Sequence, residues 1–417
     1  MIKEAIVECH DRIFRHSDST PLSPPWDVTV VPLSSGDSRE AAQLLVVFSY
    51  SHSHGDGTSG LTFHRTFIRG MNGAQAQDTN LSSVYDTIPR PLLPAFDQVA
   101  DLTVSWNCLF GAALYDRLPT FMRTSLGLHP ISPATPNTWL AKPKLVWNSV
   151  RTGLDILVLE GTHLTRLLSA CQVHNARITG LLHQLIVRSL RQAVAKHSTA
   201  QGSKPEVCDI VATTPLNLRH LAPQWASPAE MVMAVSATTE LFAADPLGDD
   251  TMSSSNEDFL WAGAKETGSK LVAAASTLHD QPVALLRYVS DFRSWMTGQL
   301  GKISDCSYEV SNIMSFDPDT HAPPRPPVTS SDVTSAAASL KGEDSEGGWK
   351  VGNMYFSQPA SVMDSPLNFG VVSRKGGDLV ICLTWQVGVL GVEDEDAFTQ
   401  DILSGVRSQI ATIISEA

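Results

Sequence analysis

One hexapeptide, His52-Ser53-His54-Gly55-Asp56-Gly57, closes an unbroken apolar run from Leu44 to Tyr50. The run is short, β-branched and aromatic, which predicts a buried strand rather than a helix. From Ser59 onward the pattern turns amphipathic. Strand, glycine-rich turn and helix in succession is where α/β enzymes present a reactive side chain. The letters admit two chemistries. In the frame H-x-x-x-D-G, His52 is a general base. In the frame H-x-H-x-D, His52, His54 and Asp56 are most of a zinc ligand set.

Bulk properties bound the problem. The 417 residues suffice for two domains, or one large bilobed one, with a substantial core. A formal net charge of -13 argues against nucleic acid, whose binders carry a basic stripe. No basic patch suggests a membrane surface, and no apolar run approaches the ~18 residues of a membrane span. The start, with Lys3, Glu4 and Glu8, lacks the apolar region of a signal peptide. Cys9, Cys108, Cys171, Cys208, Cys306 and Cys382 show no C-x-x-C spacing, which fits reduced thiols. A cytoplasmic enzyme with no membrane span and no nucleic-acid partner is the expectation, a monomer with self-association left open.

Strand-like runs are predicted at Val28 to Leu33, Leu44 to Tyr50, Ile156 to Leu159 and Val207 to Thr214. Three more follow at Lys350 to Phe356, Asn368 to Ser373 and Leu379 to Gln386, with a closing helix from about Glu393 to Ile414. Between Gly70 and Pro143 the pattern breaks into polar and proline-rich stretches that suit a surface crossover. Thr162 and Thr179 are placed to cap helices whose apolar positions recur at helical spacing. Strands and helices alternate irregularly, so the class is α/β or α+β in two lobes. The division expected is 1–144 for the first lobe with its crossover and 145–417 for the second.

Taken together, SYSHSHGDGTSGLTFHRTF, ITGLLHQLI, TTPLNLRHL, YEVSNIMSF, GNMYFSQ and LNFGVVSRKGGDLVICLTWQVGVL resemble, in this order, segments of the CoA-dependent acyltransferases. The likeness is to fungal alcohol O-acetyltransferases and trichothecene-type relatives. It covers most of the chain, with only the histidine motif sharp. The resemblance implies two chloramphenicol-acetyltransferase-like lobes with an active-site channel between them. It implies acetyl transfer from acetyl-CoA, a co-substrate and not a resident cofactor, to a hydroxyl of a small apolar secondary metabolite. His52 would take the proton of the acceptor hydroxyl, a task for an imidazole that titrates near neutral pH. Asp56 would be structural and pair with Arg219, and Gly57 would let the chain turn sharply where a side chain would block the tunnel. Ser311 and Asn312 match a channel-lining segment beside the thioester, where donors steady an oxyanion.

The sequence departs from the family in three places. Ser51 stands where a second histidine is common. Asn368-Phe369-Gly370 stands where plant relatives carry D-F-G-W-G. Only 51 residues precede His52, so the first lobe is expected to be shortened and its sheet incomplete or exposing an apolar patch. Two alternatives stay open. One is a zinc hydrolase of metallo-β-lactamase type using His52, His54 and Asp56, although Gly57 stands where that pattern ends in histidine and His129, His163 and His183 sit in poor contexts. The other is a truncated, non-catalytic relative. His54, His64, His183 and His220 are read as non-catalytic. No G-x-S-x-G elbow or phosphate-cradling loop is present, and no metal is expected.

Overall fold

The computed structural model describes residues 1–19, 24–33, 43–73, 91–115, 118–126, 132–142, 150–200, 208–227, 229–244, 254–319, 348–360 and 365–416. The chain opens with helix α1 (Ile2–Ser19), strands β1 (Trp26–Pro32) and β2 (Leu44–Tyr50), and helix α2 (Gly57–Gly73). Three short helices follow: α3 (Phe96–Val99), α4 (Trp106–Leu114) and α5 (Thr120–Leu126). Next come β3 (Thr152–Leu159), α6 (Gly161–Val173), α7 (Ile178–Ala200), β4 (Ile210–Asn217), a 3-10 turn Arg219–Leu221, β5 (Val235–Phe242) and α8 (Ser254–Ala275). A second 3-10 turn, Pro282–Tyr288, leads to α9 (Phe292–Thr297), β6 (Tyr308–Phe316), β7 (Leu367–Arg374), β8 (Leu379–Gln386) and α10 (Glu395–Glu416).

The strands form two sheets. β1 and β2 pair antiparallel from Trp26↔Tyr50 to Pro32↔Leu44. The other six run in the order β3-β8-β7-β6-β4-β5. β8 is buried at every position, because its sheet is covered on both faces. On one face, Leu157, Ile381 and Leu383 pack with Leu182 and Leu185 of α7 and Ile402 and Val406 of α10. On the other, Ile6 of α1 meets Leu154 and Val380, while Leu61 of α2 meets Phe316 and Val372. The N-terminal elements therefore sit on the large sheet's second face. A polar anchor reinforces that seat: buried Asp155 of β3 accepts from Lys3 Nζ and from Thr399 Oγ1, each at 2.8 Å. The mixed α/β class read from the sequence is the class observed.

Four local readings need correction. Lys350 to Phe356 is extended but joins no ladder among the described residues. It lies across the face of β7, so close that a Cβ on Gly370 would fall 2.2 Å from the Phe356 carbonyl oxygen. Thr162 does not cap α6; the residue before the helix is Glu160, and the Gly161 N–H is satisfied from outside by Asp378 Oδ1 at 3.0 Å. Thr179 lies inside α7, not ahead of it. Strand β4 does not stop at Thr214 but continues through Pro215 to Asn217. Proline is tolerated there because β4 and β6 pair only at Ala212↔Tyr308 and Thr213↔Glu309. Past that point the two strands part, and the sheet opens into a cavity.

The expectation of a sheet lacking neighbours has a counterpart in β2. β1 occupies one edge, and no strand pairs with the other among the described residues. That second edge borders a cavity, and on β1 Trp26 and Val30 are exposed.

Candidate active site

His52 sits in the turn that stops β2. Its Nδ1 lies 3.0 Å from the carbonyl oxygen of Gly55. A carbonyl only accepts, so Nδ1 carries the proton and Nε2 keeps its lone pair. Gly55 is required for this turn, because a Cβ there would lie 2.8 Å from the Ser59 side chain.

Asp56 ends the turn and begins α2. Its Oδ1 accepts from the Ser59 N–H at 3.1 Å, the bond of an N-cap. The same carboxylate is 2 % exposed and is gripped by Arg219, Nη2 to Oδ1 at 2.6 Å and Nε to Oδ2 at 3.1 Å. The guanidinium also donates to Ser59 Oγ and to the carbonyls of Val232 and Glu230 at 2.9–3.1 Å. Asn217 orients the arginine turn, its Oδ1 accepting the Arg219 N–H at 3.0 Å and its Nδ2 donating to Thr58 at 3.2 Å. Tyr50 donates to the Asp56 carbonyl at 2.7 Å, and burial, with the Asp56 charge adding, pushes its hydroxyl up to about 12. The turn after β2 is thus clamped to the turn after β4. Sequence reasoning missed Gly55, Ser59, Tyr50 and Asn217; a cap signal, Asp56 ahead of a helix with Ser59 three residues on, was available for one of them.

Of the two reasons expected for Gly57, a sharp turn and a place where a side chain would block the tunnel, the geometry carries the second. Its φ is not in the left-handed region, so no special turn is needed. A Cβ there would meet Ile313 Cγ2 at 2.5 Å and the Phe356 ring at 3.3 Å. Packing, not backbone freedom, demands the glycine.

Two cavities meet at this point. The larger, 740 Å³, opens where β4 and β6 part and is lined by Leu216, Val283, Leu286, Trp295, Ser311 and Asn312, among others. The smaller, 290 Å³, lies between β2, α1, α2 and the extended segment 348–360. His52, Gly57, Ile313, Phe356 and Gln358 border both. His52 is therefore reached from two sides.

Ser311 and Asn312 stand on β6 at a break in the β6–β7 register between Asn312 and Ser315, where Met314 adopts φ 69°. The Asn312 amide is committed: Nδ2 donates to Thr179 Oγ1 at 3.0 Å and Oδ1 accepts from the Met314 N–H at 2.9 Å. Asn312 holds the bulge, and Ser311 is left facing the cavity.

The remaining histidines serve other ends. His54 is exposed and bonds Ser53 at 2.9 Å. His64, expected on a helix surface, instead lines the smaller cavity, and burial lowers it to about 4. His183 is buried between Tyr308 and Thr214 hydroxyls at 2.9 and 3.0 Å. His220 lies in the turn after β4, and His163 is exposed on α6. His129 falls outside the described residues. The zinc frame fares poorly by geometry. Asp56 spends its carboxylate on Arg219 and Ser59, His52 spends Nδ1 on Gly55, and among the described residues no three His, Cys, Asp or Glu converge on a metal position.

The chain matches two relatives over nearly its whole length. It is 24% identical over 393 residues to a "probable alcohol acetyltransferase" of Fusarium pseudograminearum, covering 93% of this chain and 70% of that protein. It is 22% identical over 421 residues to a second protein of that name from Aspergillus fumigatus, covering 97% and 75%. The chain is similar to alcohol acetyltransferases. Among solved structures, trichothecene 15-O-acetyltransferase from Fusarium sporotrichioides superposes with a TM-score of 0.62 at 13% identity, over 98% of this chain and 74% of that one. The epimerization domain of tyrocidine synthetase B superposes at 0.50, with 13% identity, over 99% and 77%. This chain shares the fold of these two structures. No family model matches the sequence.

Proposed function

We propose that this protein is an acyl-CoA-dependent O-acyltransferase in which His52 is the general base. The observation that carries this reading is the state of one ring: Nδ1 is tied to Gly55, so the basic nitrogen is Nε2, at a point bordered by two cavities. An alcohol and an acyl thioester approaching from separate sides require such a point. The alcohol oxygen attacks the thioester carbonyl as Nε2 takes its proton, and the tetrahedral oxyanion forms. When the carbon–sulfur bond breaks, the imidazolium returns that proton to the departing thiolate. Transfer is direct, because no serine or cysteine bonds to His52 among the described residues.

Ser311 is the oxyanion donor in this reading, and Asn312 shapes the strand that presents it. Asp56 and Arg219 are positioning residues that hold the turn bearing His52. The apolar walls of the larger cavity support an apolar alcohol as acceptor, and the names of the relatives support an acetyl-type donor and a fungal metabolite. The lobes divide near residue 144, and the six free cysteines fit the cytoplasm.

The test is release of thiol from acetyl-CoA in a screen of apolar alcohols, with and without chelator. Turnover that survives chelation and disappears in His52→Ala supports the reading. Stoichiometric zinc, or full turnover by His52→Ala, overturns it.

A further inference from the structure

We propose that Glu309 selects the acceptor: the alcohol that fits the larger cavity carries a second hydroxyl, remote from the reacting one, which donates to the Glu309 carboxylate. This rests on the acyltransferase reading, leaves the acetyl donor as it stands, and narrows the class of acceptor.

The place of Glu309 follows from the sheet. β4 and β6 pair at Ala212↔Tyr308 and Thr213↔Glu309 and part beyond, so Glu309 stands at the inner end of the wedge they open. It lies two residues before Ser311 on β6, hence on the same face, and both line the 740 Å³ cavity. Ile313, two residues past Ser311, stands against Gly57 in the His52 turn. The order along the wall is therefore the His52 turn, Ser311, then Glu309. Two residues of strand rise about 6.8 Å, which sets Glu309 roughly that far beyond the oxyanion donor. An alcohol reacting at His52 turns its far end toward this carboxylate.

The surroundings ask for a donor. Leu109, Leu216, Val283 and Leu286 make the wall apolar, and among the described residues no lysine or arginine lines it. Its carboxylates are Asp56 and Glu309, and Asp56 is spent on Arg219 and Ser59. A carboxylate accepts several hydrogen bonds at once, so Glu309 can take one from a ligand whatever else it meets. The row across the sheet has the same bias. Asn368 of β7 stands beside Glu309, and Thr384 of β8 beside Asn368. Both are buried, and Asn368 Oδ1 and Thr384 Oγ1 have no hydrogen-bond partner among the described residues. The Asn368 amide nitrogen already donates to the Ser365 carbonyl at 3.1 Å, so the atom left over is an acceptor. A hydroxyl answers such a row, whereas an anionic group would be repelled by Glu309.

The experiment uses acetyl-CoA and measures kcat/KM for butanol, hexanol and octanol beside the diols of equal length with a hydroxyl at each end. At the best-fitting length the diol should exceed the alcohol by about tenfold or more. The gain should lie in KM, because the contact is made before the transition state as well as in it. The monomethyl ether of that diol, which keeps the oxygen and loses the donor, should lose the gain. In Glu309→Leu the diol-to-alcohol ratio should fall to about one. Glu309→Gln, which keeps an acceptor of the same shape, should hold an intermediate ratio. Where Glu309→Leu fails to fold, the wild-type ratios and Glu309→Gln decide. Alcohols used as well as the diols at every length, or a gain that survives in Glu309→Leu, overturn the proposal and leave the acyltransferase reading intact. No thiol release with any alcohol or diol removes both.

Discussion

Arg219 holds Asp56 side-on, with Nη2 2.6 Å from Oδ1 and Nε 3.1 Å from Oδ2. A carboxylate from the turn after β2 and a guanidinium from the turn after β4 thereby become one bidentate unit. Asp56→Ala leaves a guanidinium that is only 15% exposed without its counter-charge, and removes the cap of α2. The expected loss is about 3–5 kcal/mol in denaturant unfolding, together with lower turnover. Asp56→Asn keeps the cap acceptor and should lose less. Arg219→Lys should be as damaging to the rate as Asp56→Asn, because an ammonium cannot span both oxygens. Equal stability of Asp56→Ala and wild type would show that the pair does not hold the lobes.

Gly57 makes a sharper test of packing. Gly57→Ala puts a methyl group 2.5 Å from Ile313 Cγ2, which must move or push the His52 turn aside. Turnover should fall at least tenfold. Ile313→Ala in the same chain removes the clashing atom and should restore much of it. Failure of that rescue would mean glycine is needed for another reason.

Ser311 and Asn312 should separate cleanly. Asn312 has its donor on Thr179 and its acceptor on Met314, so Asn312→Ala should cost about 1–3 kcal/mol of stability. Ser311→Ala should leave stability near wild type and lower kcat on the order of a hundredfold with little change in KM. A Ser311→Ala enzyme with unchanged kcat would assign the oxyanion to a backbone donor.

His183 gives the fold an acid limit. Burial lowers it to about 4, against 6.5 when unfolded. Between those values the unfolded chain binds a proton that the native state does not, so stability rises with pH across the window. On acidification from pH 6.5 toward 4, this residue alone removes about 1.4 kcal/mol per pH unit. Unfolding midpoints measured at pH 7.5, 6, 5 and 4.5 should fall accordingly, and His183→Gln should flatten the slope. An unchanged slope in His183→Gln would place the acid sensitivity elsewhere.

Much of this was legible from local pattern. Leu44–Tyr50 and Leu379–Gln386 have the predicted limits because strand length and apolar content are properties of the segment itself. The histidine motif stood out for the same reason: a strand that stops at Tyr50 and a helix that starts at Gly57 leave a short turn to carry the chemistry. Where the reading failed, the cause was a distant partner. The cap of α6 is Asp378, more than two hundred residues away in the chain, so nothing beside Thr162 could reveal it. Lys350–Phe356 has strand composition, but β7 offers it a face and no edge. Pro215 looked like a stop because its missing donor is costly only where a neighbour awaits it, and β6 has already departed.

The sequence by itself determined the residue types and their spacing: an imidazole, a carboxylate and a glycine on a turn between an apolar strand and a helix. It also determined the fold class, because apolar periodicity is a local property that survives in any context. Only the tertiary structure decided what those groups can do. Which histidine nitrogen is basic depends on the Gly55 carbonyl, and whether Asp56 is a ligand or a clamp depends on Arg219, 163 residues onward. The cavities exist because two strands part and a third, among the described residues, has one edge unpaired. Those are relations between segments far apart in the chain, and they form only when the core brings the segments together.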